Sequence, residues 1–168
     1  MPPLSPRARE IVAAARELLE AGGAEELSMR RIAARIGIRA PSLYKHFPDK
    51  GALEAALMSD GFHEIAQRFA GARDLAAVGR AYRAWALEHP HLYRLMTTGP
   101  LPRARLAPGA EDAAAAPVIE ATGGDEAAAR AAFAFAHGMV ILELDDRFPP
   151  GADLDAAWAR GIGGLSTG

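Results

Sequence analysis

The chain has 168 residues, half of them apolar, which is enough for one compact core or for a small domain beside a larger one. It contains no cysteine, which excludes a disulfide framework, a thiolate metal site and a thiol redox switch. The net charge is −2, but residues 1–50 carry nine Lys or Arg against six Asp or Glu, whereas residues 51–168 carry ten against fifteen. This asymmetry, +3 against −5, indicates that the first third of the chain is the part suited to nucleic acid.

Alanine and glycine are abundant while Val, Ile and Thr are few, which favours helices over strands. The first ten residues, MPPLSPRARE, lack the apolar stretch of a signal peptide. No uninterrupted apolar run approaches the length of about 18 residues that a membrane span needs. We therefore expect a soluble cytoplasmic protein that has no membrane partner.

A first helix is predicted over residues 6–22. Ser5 and Pro6 are typical of a helix start, and Gly22 with Gly23 is typical of a stop. Apolar and small residues recur at helical spacing and predict one buried stripe. They are Ile11, Ala14, Ala15, Leu18, Leu19 and Gly22.

A second helix is predicted to begin after Ser28, whose hydroxyl can accept from amides one turn ahead. Its buried stripe comprises Met29, Ile32, Ala33 and Ile36, and three arginines project outward. Gly37 then permits the positive φ that the turn of a helix-turn-helix unit requires.

A third, short helix is predicted from Ala40 through Phe47, with Pro41 in its first turn. Leu43 and Phe47 are four residues apart and point into the core. The outward positions are Arg39, Ala40, Ser42, Tyr44, Lys45 and His46.

On that outer surface Arg39 and Ser42 are suited to base edges, while Tyr44, Lys45 and His46 are suited to phosphates. Taken singly, Tyr44 could equally be a half-buried packing ring and His46 a surface residue or cap. Taken with the glycine turn and the arginines, the set favours contact with DNA.

Asp49 is predicted to cap a fourth helix that runs to about Phe69, and Lys50 lies in its first turn. Helix N-terminal amides beside a lysine form a good clamp for a phosphate. Two apolar stripes on this helix are typical of a connector between two parts of a protein.

Residues 6–53 resemble the DNA-binding domain of TetR/AcrR-type transcriptional regulators. The resemblance is carried by IVAAARELLEAGGAEELSMRRIAARIGI followed by RAPSLYKHFPDKGALEAAL. It implies a three-helix domain whose third helix is the recognition helix. Tyr44 and His46 resemble the family's phosphate-contacting pair, and Lys50 resembles its clamp at the fourth helix.

The positions at which the family reads bases or backbone are occupied here by Arg39, Ala40, Ser42 and Lys45. Pro41-Ser42 stands where the family commonly has a glycine before the Leu-Tyr pair, which leaves the base contacts open. The predicted DNA-binding set is Ser28, Arg39, Ala40, Pro41, Ser42, Tyr44, Lys45, His46 and Lys50.

A further helix is predicted from Leu75, and Pro90 ends or kinks it before a short apolar helix. Aromatic and polar side chains from here and from the later helix could line a pocket for a small molecule. A filled aromatic core explains each of them equally well. The candidates are Tyr82, Trp85, His89, Tyr93, Met96, Phe133 and His137.

Residues 97–124 are punctuated by Pro and Gly, and we expect this to be the most mobile region outside the termini. Residues 111–121 are predicted to form a helix that is interrupted near Pro117.

Asp125 is predicted to cap a helix that runs to about Arg147 and is apolar nearly all round, so it must be covered on most sides. A last helix is predicted over 153–163. Within the TetR/AcrR family this part resembles regulators with a Trp-His-Gly-like signature, here at Phe135-Ala136-His137-Gly138. The resemblance implies that helices 125–147 and 153–163 pair with those of a second subunit. Glu143 either pairs with an arginine or faces solvent.

The sequence thus predicts an all-α protein with a helix-turn-helix DNA-binding domain at 1–50 and a ligand-binding and dimerisation domain at 51–168. Its expected function is that of a ligand-responsive repressor, a homodimer on a pseudo-palindromic double-stranded DNA operator. No metal or other cofactor is expected. An enzyme is disfavoured because there is no Cys, no Gly-rich phosphate loop after a strand and no HExxH. A helical module whose basic head binds an acidic protein is the remaining alternative.

Overall fold

A computed structural model describes residues 4–165, and across this range the chain forms nine α-helices, one 3-10 turn and no β-strand. The predicted all-α class is confirmed. In chain order the helices are α1 (Pro6–Gly22), α2 (Met29–Arg35), α3 (Ala40–Leu43), α4 (Lys50–Arg68), α5 (Leu75–Glu88), α6 (Pro90–Thr97), α7 (Ala110–Ala121), α8 (Glu126–Leu144) and α9 (Leu154–Leu165). The 3-10 turn covers Arg103–Arg105, between α6 and α7.

The helices form two compact units, and the division falls within α4. The first unit comprises the chain up to Phe62 together with His89–Glu111, and the second comprises His63–Glu88 and the chain from Asp112 onward. In the first unit α1 packs against α2 and α6, and α2 packs against α3. In the second unit α5, α8 and α9 pack on one another. The domain boundary at residue 50 stays a prediction.

Side-chain caps set the helix starts that the sequence predicts. Ser5 Oγ accepts the Ala8 N–H at 3.2 Å, and Ser28 Oγ accepts the Arg31 N–H at 3.2 Å. A carboxylate oxygen of Asp125 accepts the Ala127 N–H at 2.8 Å. These bonds satisfy amides that have no partner within the helix, and the three predicted starts are confirmed.

The turn between α2 and α3 depends on Gly37, which has a φ of +69°. The Ile38 N–H donates to the Ala33 carbonyl at 2.9 Å, and the Gly37 N–H donates to the Ala34 carbonyl at 3.3 Å. This pair of bonds closes the end of α2 with the left-handed residue that glycine adopts without steric cost. The predicted positive φ at Gly37 is confirmed.

Two predictions about helix ends are wrong. α7 continues through Pro117 instead of breaking there. Proline removes one backbone hydrogen bond, but α7 ends one turn later, at Ala121, so little helix lies beyond the defect. α8 ends at Leu144, three residues before the predicted Arg147, because Asp146 adopts a left-handed φ of +50°.

A buried carboxylate links α5, α8 and α9 of the second unit. The Glu143 side chain, 7% exposed, accepts from Arg83 Nη2 at 2.7 Å and from Trp158 Nε1 at 2.6 Å. Arg83 also donates to Asp155 at 2.6 Å. Burial opposes the charge of Arg83, but its hydrogen bonds to the two carboxylates outweigh burial and raise the pKa of Arg83. Of the two alternatives for Glu143, pairing with an arginine is confirmed.

α8 is by length and composition apolar enough to cross a membrane, yet only 22% of that stretch is buried within the described chain. A helix that is covered by other protein can have the same length and composition. Phe133 is 53% exposed and Leu142 is 40% exposed. The prediction that α8 is covered on most sides is therefore not met by one chain alone.

Replacing Gly37 with alanine should destabilise the protein through strain alone, since a Cβ there meets no atom of the described residues within 4 Å. We expect Gly37→Ala to lower the free energy of unfolding by ~1 kcal/mol, and Gly37→Asn to lower it less, because asparagine tolerates the left-handed region better. Urea unfolding measures both changes. Equal stability of Gly37→Ala and the wild type would refute the assigned turn.

Glu143→Ala leaves the half-buried Arg83 and the Trp158 N–H short of an acceptor. We expect a loss of about 2 kcal/mol in the free energy of unfolding. The matched control is Asp155→Asn, which weakens the pair on the solvent side, where Asp155 is 89% exposed, and should cost under ~1 kcal/mol. A larger loss for Asp155→Asn than for Glu143→Ala would contradict the central role of Glu143.

Candidate nucleic-acid interface

The short helix α3 is held by two buried side chains. Leu43 is 0% exposed and Phe47 is 4% exposed, so both predicted anchors are confirmed. The helix itself spans only Ala40–Leu43, and the predicted continuation to Phe47 is instead a turn. In that turn the amides of His46 and Phe47 both donate to the Leu43 carbonyl at 2.9 Å. The turn keeps Phe47 in the core while the residues before it face outward.

Most of the predicted DNA-contacting side chains lie in the open. Tyr44 is 52% exposed, which disfavours a packing role for its ring. Arg39 precedes α3 with an extended backbone, and its guanidinium has no acceptor atom with which to cap the helix. The exposed members of the set are Arg39, Pro41, Tyr44, Lys45, His46 and Lys50, while Ser28, Ala40 and Ser42 are half-buried.

The cations of this surface fall into two groups. Arg31 pairs with Glu26, and Arg35 pairs with Glu17 at 2.6 Å. Arg39 and Lys45 have no carboxylate partner among residues 4–165. Arg30 on α2 is also exposed and also has none within that range, so the unbalanced positive charge lies at Arg30, Arg39 and Lys45, a distinction that residue counts do not show.

Ser28 is partly committed to the fold, because its oxygen accepts the Arg31 N–H. The hydroxyl proton is not used by that bond, so the group can still donate to a phosphate oxygen. The cap fixes the position of this donor at the start of α2.

Lys50 lies in the first turn of α4, as predicted. Its Nζ is 3.2 Å from Glu54 Oε1 and 3.5 Å from the Ala24 carbonyl oxygen. The side chain is 45% exposed, so this pair is open to solvent and exchangeable. Lys50 is thus held by its own unit when no DNA is bound.

Asp49 caps α4 by accepting the Ala52 N–H at 2.8 Å, which confirms the predicted start. It also accepts from Arg105 Nη1 at 2.7 Å, a contact that sequence reasoning missed. The Ala52 bond first and Arg105 second lower the pKa of the Asp49 carboxyl. The available signal was that Asp49 is the single acidic residue within 28–50.

The seven candidate pocket residues divide between the two units. Tyr82, Trp85, Phe133 and His137 belong to the second unit, whereas His89, Tyr93 and Met96 belong to the first. Tyr82, Trp85, Tyr93 and Met96 are buried, and His89 is half-buried. A single pocket lined by all seven therefore stays a prediction.

Three of these residues meet within the second unit. The Tyr82 and Phe133 rings meet edge to face with centroids 6.3 Å apart, and Phe133 stacks on His137 at 6.0 Å. Burial lowers the pKa of His137, so its ring is neutral at neutral pH. Within residues 4–165 no group of three or more His, Cys, Asp or Glu is placed to hold a metal ion.

Comparison with known proteins shows which families and relatives this chain resembles. The family model described as bacterial regulatory proteins, tetR family, matches residues 11–57, and that described as tetracyclin repressor-like, C-terminal domain, matches residues 75–165. The HTH-type transcriptional repressor DrrR1 of Streptomyces coeruleorubidus is 35% identical over 108 residues, which cover 61% of this chain and 38% of that protein. The chain spans about two fifths of the length of the curated relatives it matches.

Solved structures share this fold over nearly the whole length of the chain. The regulatory protein SCO4313 is 27% identical, with a TM-score of 0.76, over 95% of this chain and 94% of that one. A TetR variant from Acinetobacter baumannii AYE, solved in complex with minocycline, shares the fold at 24% identity and a TM-score of 0.67, over 93% and 92% of the two chains. Because the C-terminal family model alone covers more than half of the sequence, and the N-terminal one covers the helix-turn-helix unit, this chain belongs to the TetR family of DNA-binding transcriptional regulators.

Proposed function

We propose that the chain is a ligand-responsive repressor that acts as a homodimer on a pseudo-palindromic operator. In this proposal residues 1–50 bind DNA, and residues 51–168 bind the effector and the second subunit. The observation that carries it is the surface around α3, where Arg39 and Lys45 are exposed without carboxylate partners among the described residues. A cytoplasmic location follows from that role.

The assignment of individual contacts rests on exposure and chemistry. Arg39 at the start of α3, with the small residues Ala40 and Ser42 and the ring of Pro41, is suited to base edges in the major groove. Two such surfaces on a dimer would meet half-sites about one helical turn apart, ~34–36 Å.

Phosphate contacts fall to the residues that flank this surface. Ser28 and Tyr44 offer hydroxyl donors, and Lys45, His46 and Lys50 offer nitrogen donors. To reach a phosphate, Lys50 exchanges its pair with Glu54 for one with DNA. Exposed pairs of this kind contribute little to stability, so the exchange costs little.

Dimerisation is supported by a face of α8 that one chain leaves open. Residues that are exposed, or half-buried in the case of Gly138, recur at helical spacing along it, and most are small. Gly138 and, on α9, Gly163 have no atom of residues 4–165 within 4 Å of where a Cβ would stand, so nothing in that range requires a glycine there. The face comprises Ala127, Ala131, Ala134, Gly138 and Leu142, with Ala156, Ala159 and Gly163 on α9. Small residues let two helices approach closely, as a bundle of α8 and α9 from two subunits needs.

An effector site is supported by the aromatic cluster of Tyr82, Phe133 and His137 and by the fold shared with a TetR variant that holds minocycline. The effector would lower operator affinity only by binding the DNA-free conformation better. A tenfold loss of affinity needs about 1.4 kcal/mol of such coupling. The Trp-His-Gly-like signature at residues 135–138 stays a prediction.

Two substitutions test the proposed phosphate contacts. Tyr44→Phe removes one donor, and we expect roughly fivefold weaker operator binding. Lys45→Ala should weaken binding and reduce the slope of log affinity against log salt by about 1. Arg73→Ala is the matched control, since it removes an exposed arginine outside the interface. Fluorescence anisotropy measures all three on an operator selected from a random DNA pool.

Wild-type affinity in both Tyr44→Phe and Lys45→Ala would show that the interface lies elsewhere. If the wild-type protein bound the selected operator and random DNA equally at moderate salt, it would not be a sequence-specific regulator.

A further substitution tests the open face of α8. A Cβ at Gly138 meets no atom of residues 4–165 within 4 Å, but the side chain of Gly138→Leu would clash with a helix packed closely against it, so we expect the variant to shift from dimer to monomer while keeping its helicity. Ala13→Leu, at an exposed position of α1, should leave the dimer intact. Sedimentation equilibrium without DNA measures both. A wild-type monomer at micromolar concentration would contradict the proposed pairing.

A further inference from the structure

The basic stretch contains one carboxylate in an unfavourable place for DNA binding. Residues 28–50 hold six cationic side chains and a single acidic one, Asp49, directly before Lys50. A fixed negative charge beside the lysine that should meet a phosphate repels that phosphate and attracts the lysine. The cations of the stretch are Arg30, Arg31, Arg35, Arg39, Lys45 and Lys50.

The Asp49 carboxylate keeps its negative charge at neutral pH. It accepts the Ala52 N–H and caps α4, and this bond, with Arg105, lowers the pKa of the carboxyl. The group is therefore ionised at neutral pH, and its capping role fixes it at the start of α4. A cation is needed to balance it.

That cation comes from a segment far along the chain. Arg105 Nη1 donates to Asp49 Oδ1 at 2.7 Å, across 56 positions of sequence. A Cβ on Gly51 would stand 2.9 Å from the same nitrogen, so the missing side chain at 51 leaves space for the guanidinium. The Arg105 side chain is 51% exposed, which keeps other N–H donors open to solvent.

The segment that carries Arg105 is attached to α4 at a second point. The Ala107 N–H donates to the buried Ser59 hydroxyl at 2.9 Å, and Ser59 in turn donates to the Ala55 carbonyl at 2.7 Å. Leu106, between the two contacts, is buried. Because the backbone on the C-terminal side of Arg105 is pinned, the guanidinium is held near Asp49 rather than meeting it by chance.

The neighbouring arginine of the same turn is used differently. Arg103 makes a two-pronged pair with Glu111, with nitrogen–oxygen distances of 2.8–3.1 Å. Its charge is balanced within its own segment. Of the two arginines in this turn, Arg105 is the one directed to α4, which makes Arg103 a matched comparison.

We propose that Arg105 is a positioning residue for the DNA interface, supplied from outside the helix-turn-helix segment, which neutralises Asp49 so that the neighbouring Lys50 can bind a DNA phosphate. The inference rests on the proposed function, since it requires that this surface meets DNA. It extends the determinants of operator binding to the turn that follows α6.

The test compares operator affinities by fluorescence anisotropy at fixed salt. Arg105→Gln exposes the charge of Asp49, and we expect roughly fivefold weaker binding. Arg105→Lys keeps the charge and should remain within about twofold of the wild type. Asp49→Asn added to Arg105→Gln should restore binding to within about twofold of the wild type, because asparagine still caps the Ala52 amide but carries no charge.

Rescue by Asp49→Asn separates charge neutralisation from a structural role, since the double variant also lacks the ion pair. Wild-type binding by Arg105→Gln would overturn the proposal, and so would a double variant as weak as Arg105→Gln. Arg103→Gln should bind like the wild type; an equal loss there would make the effect a general one of net charge.

Tyr44→Phe and Lys45→Ala, measured on the same operator, separate this inference from the proposed function. If they weaken binding and Arg105→Gln does not, only the role of Arg105 fails. If none of the variants changes binding, the interface itself is misplaced and both proposals fail together.

Discussion

The DNA-facing surface depends on the burial of Leu43 and Phe47. α3 is a single turn, and isolated helices shorter than about 12–15 residues are marginal in water, so it has no stability of its own. Its orientation is imposed by these two side chains and by the left-handed turn at Gly37. Because Leu43 and Phe47 are committed to the core, the three consecutive residues between them, Tyr44, Lys45 and His46, are presented together at the surface. The candidate interface is therefore a property of the core beneath it.

The net charge of each part of this surface depends on ion pairing as much as on the number of charged residues. On α2, Arg31 and Arg35 are balanced by carboxylates of the same unit, and near α4 the charge of Asp49 is balanced by Arg105. Arg39 and Lys45 lack such partners within the part of the chain that the structure describes. Arg30 on α2 lacks one there too, so the unpaired positive charge lies at the start of α2 and around α3. In the second unit, by contrast, Glu143 serves the packing of three helices.

What the sequence predicts well is local. The caps at Ser28 and Asp125 and the turn at Gly37 involve atoms within five residues of one another, so residue type and spacing determine them. The family resemblance added the overall fold. The Asp49–Arg105 pair could not be predicted, because it depends on the path by which the chain returns after α6, and periodicity holds no information about that path. The prediction at Pro117 fails for a different reason. Proline usually interrupts a helix, but α7 continues through this residue.

The open face of α8 links the folding of this regulator to its abundance. If a second copy covers that face, the association free energy adds to the folding free energy, and the unfolding temperature rises with protein concentration. A nanomolar dissociation constant corresponds to about 12 kcal/mol, as much as the whole stability of a typical domain. Dilution would then expose an apolar helix and shorten the lifetime of the chain against proteolysis. The number of copies in the cell would set both operator occupancy and the survival of each subunit.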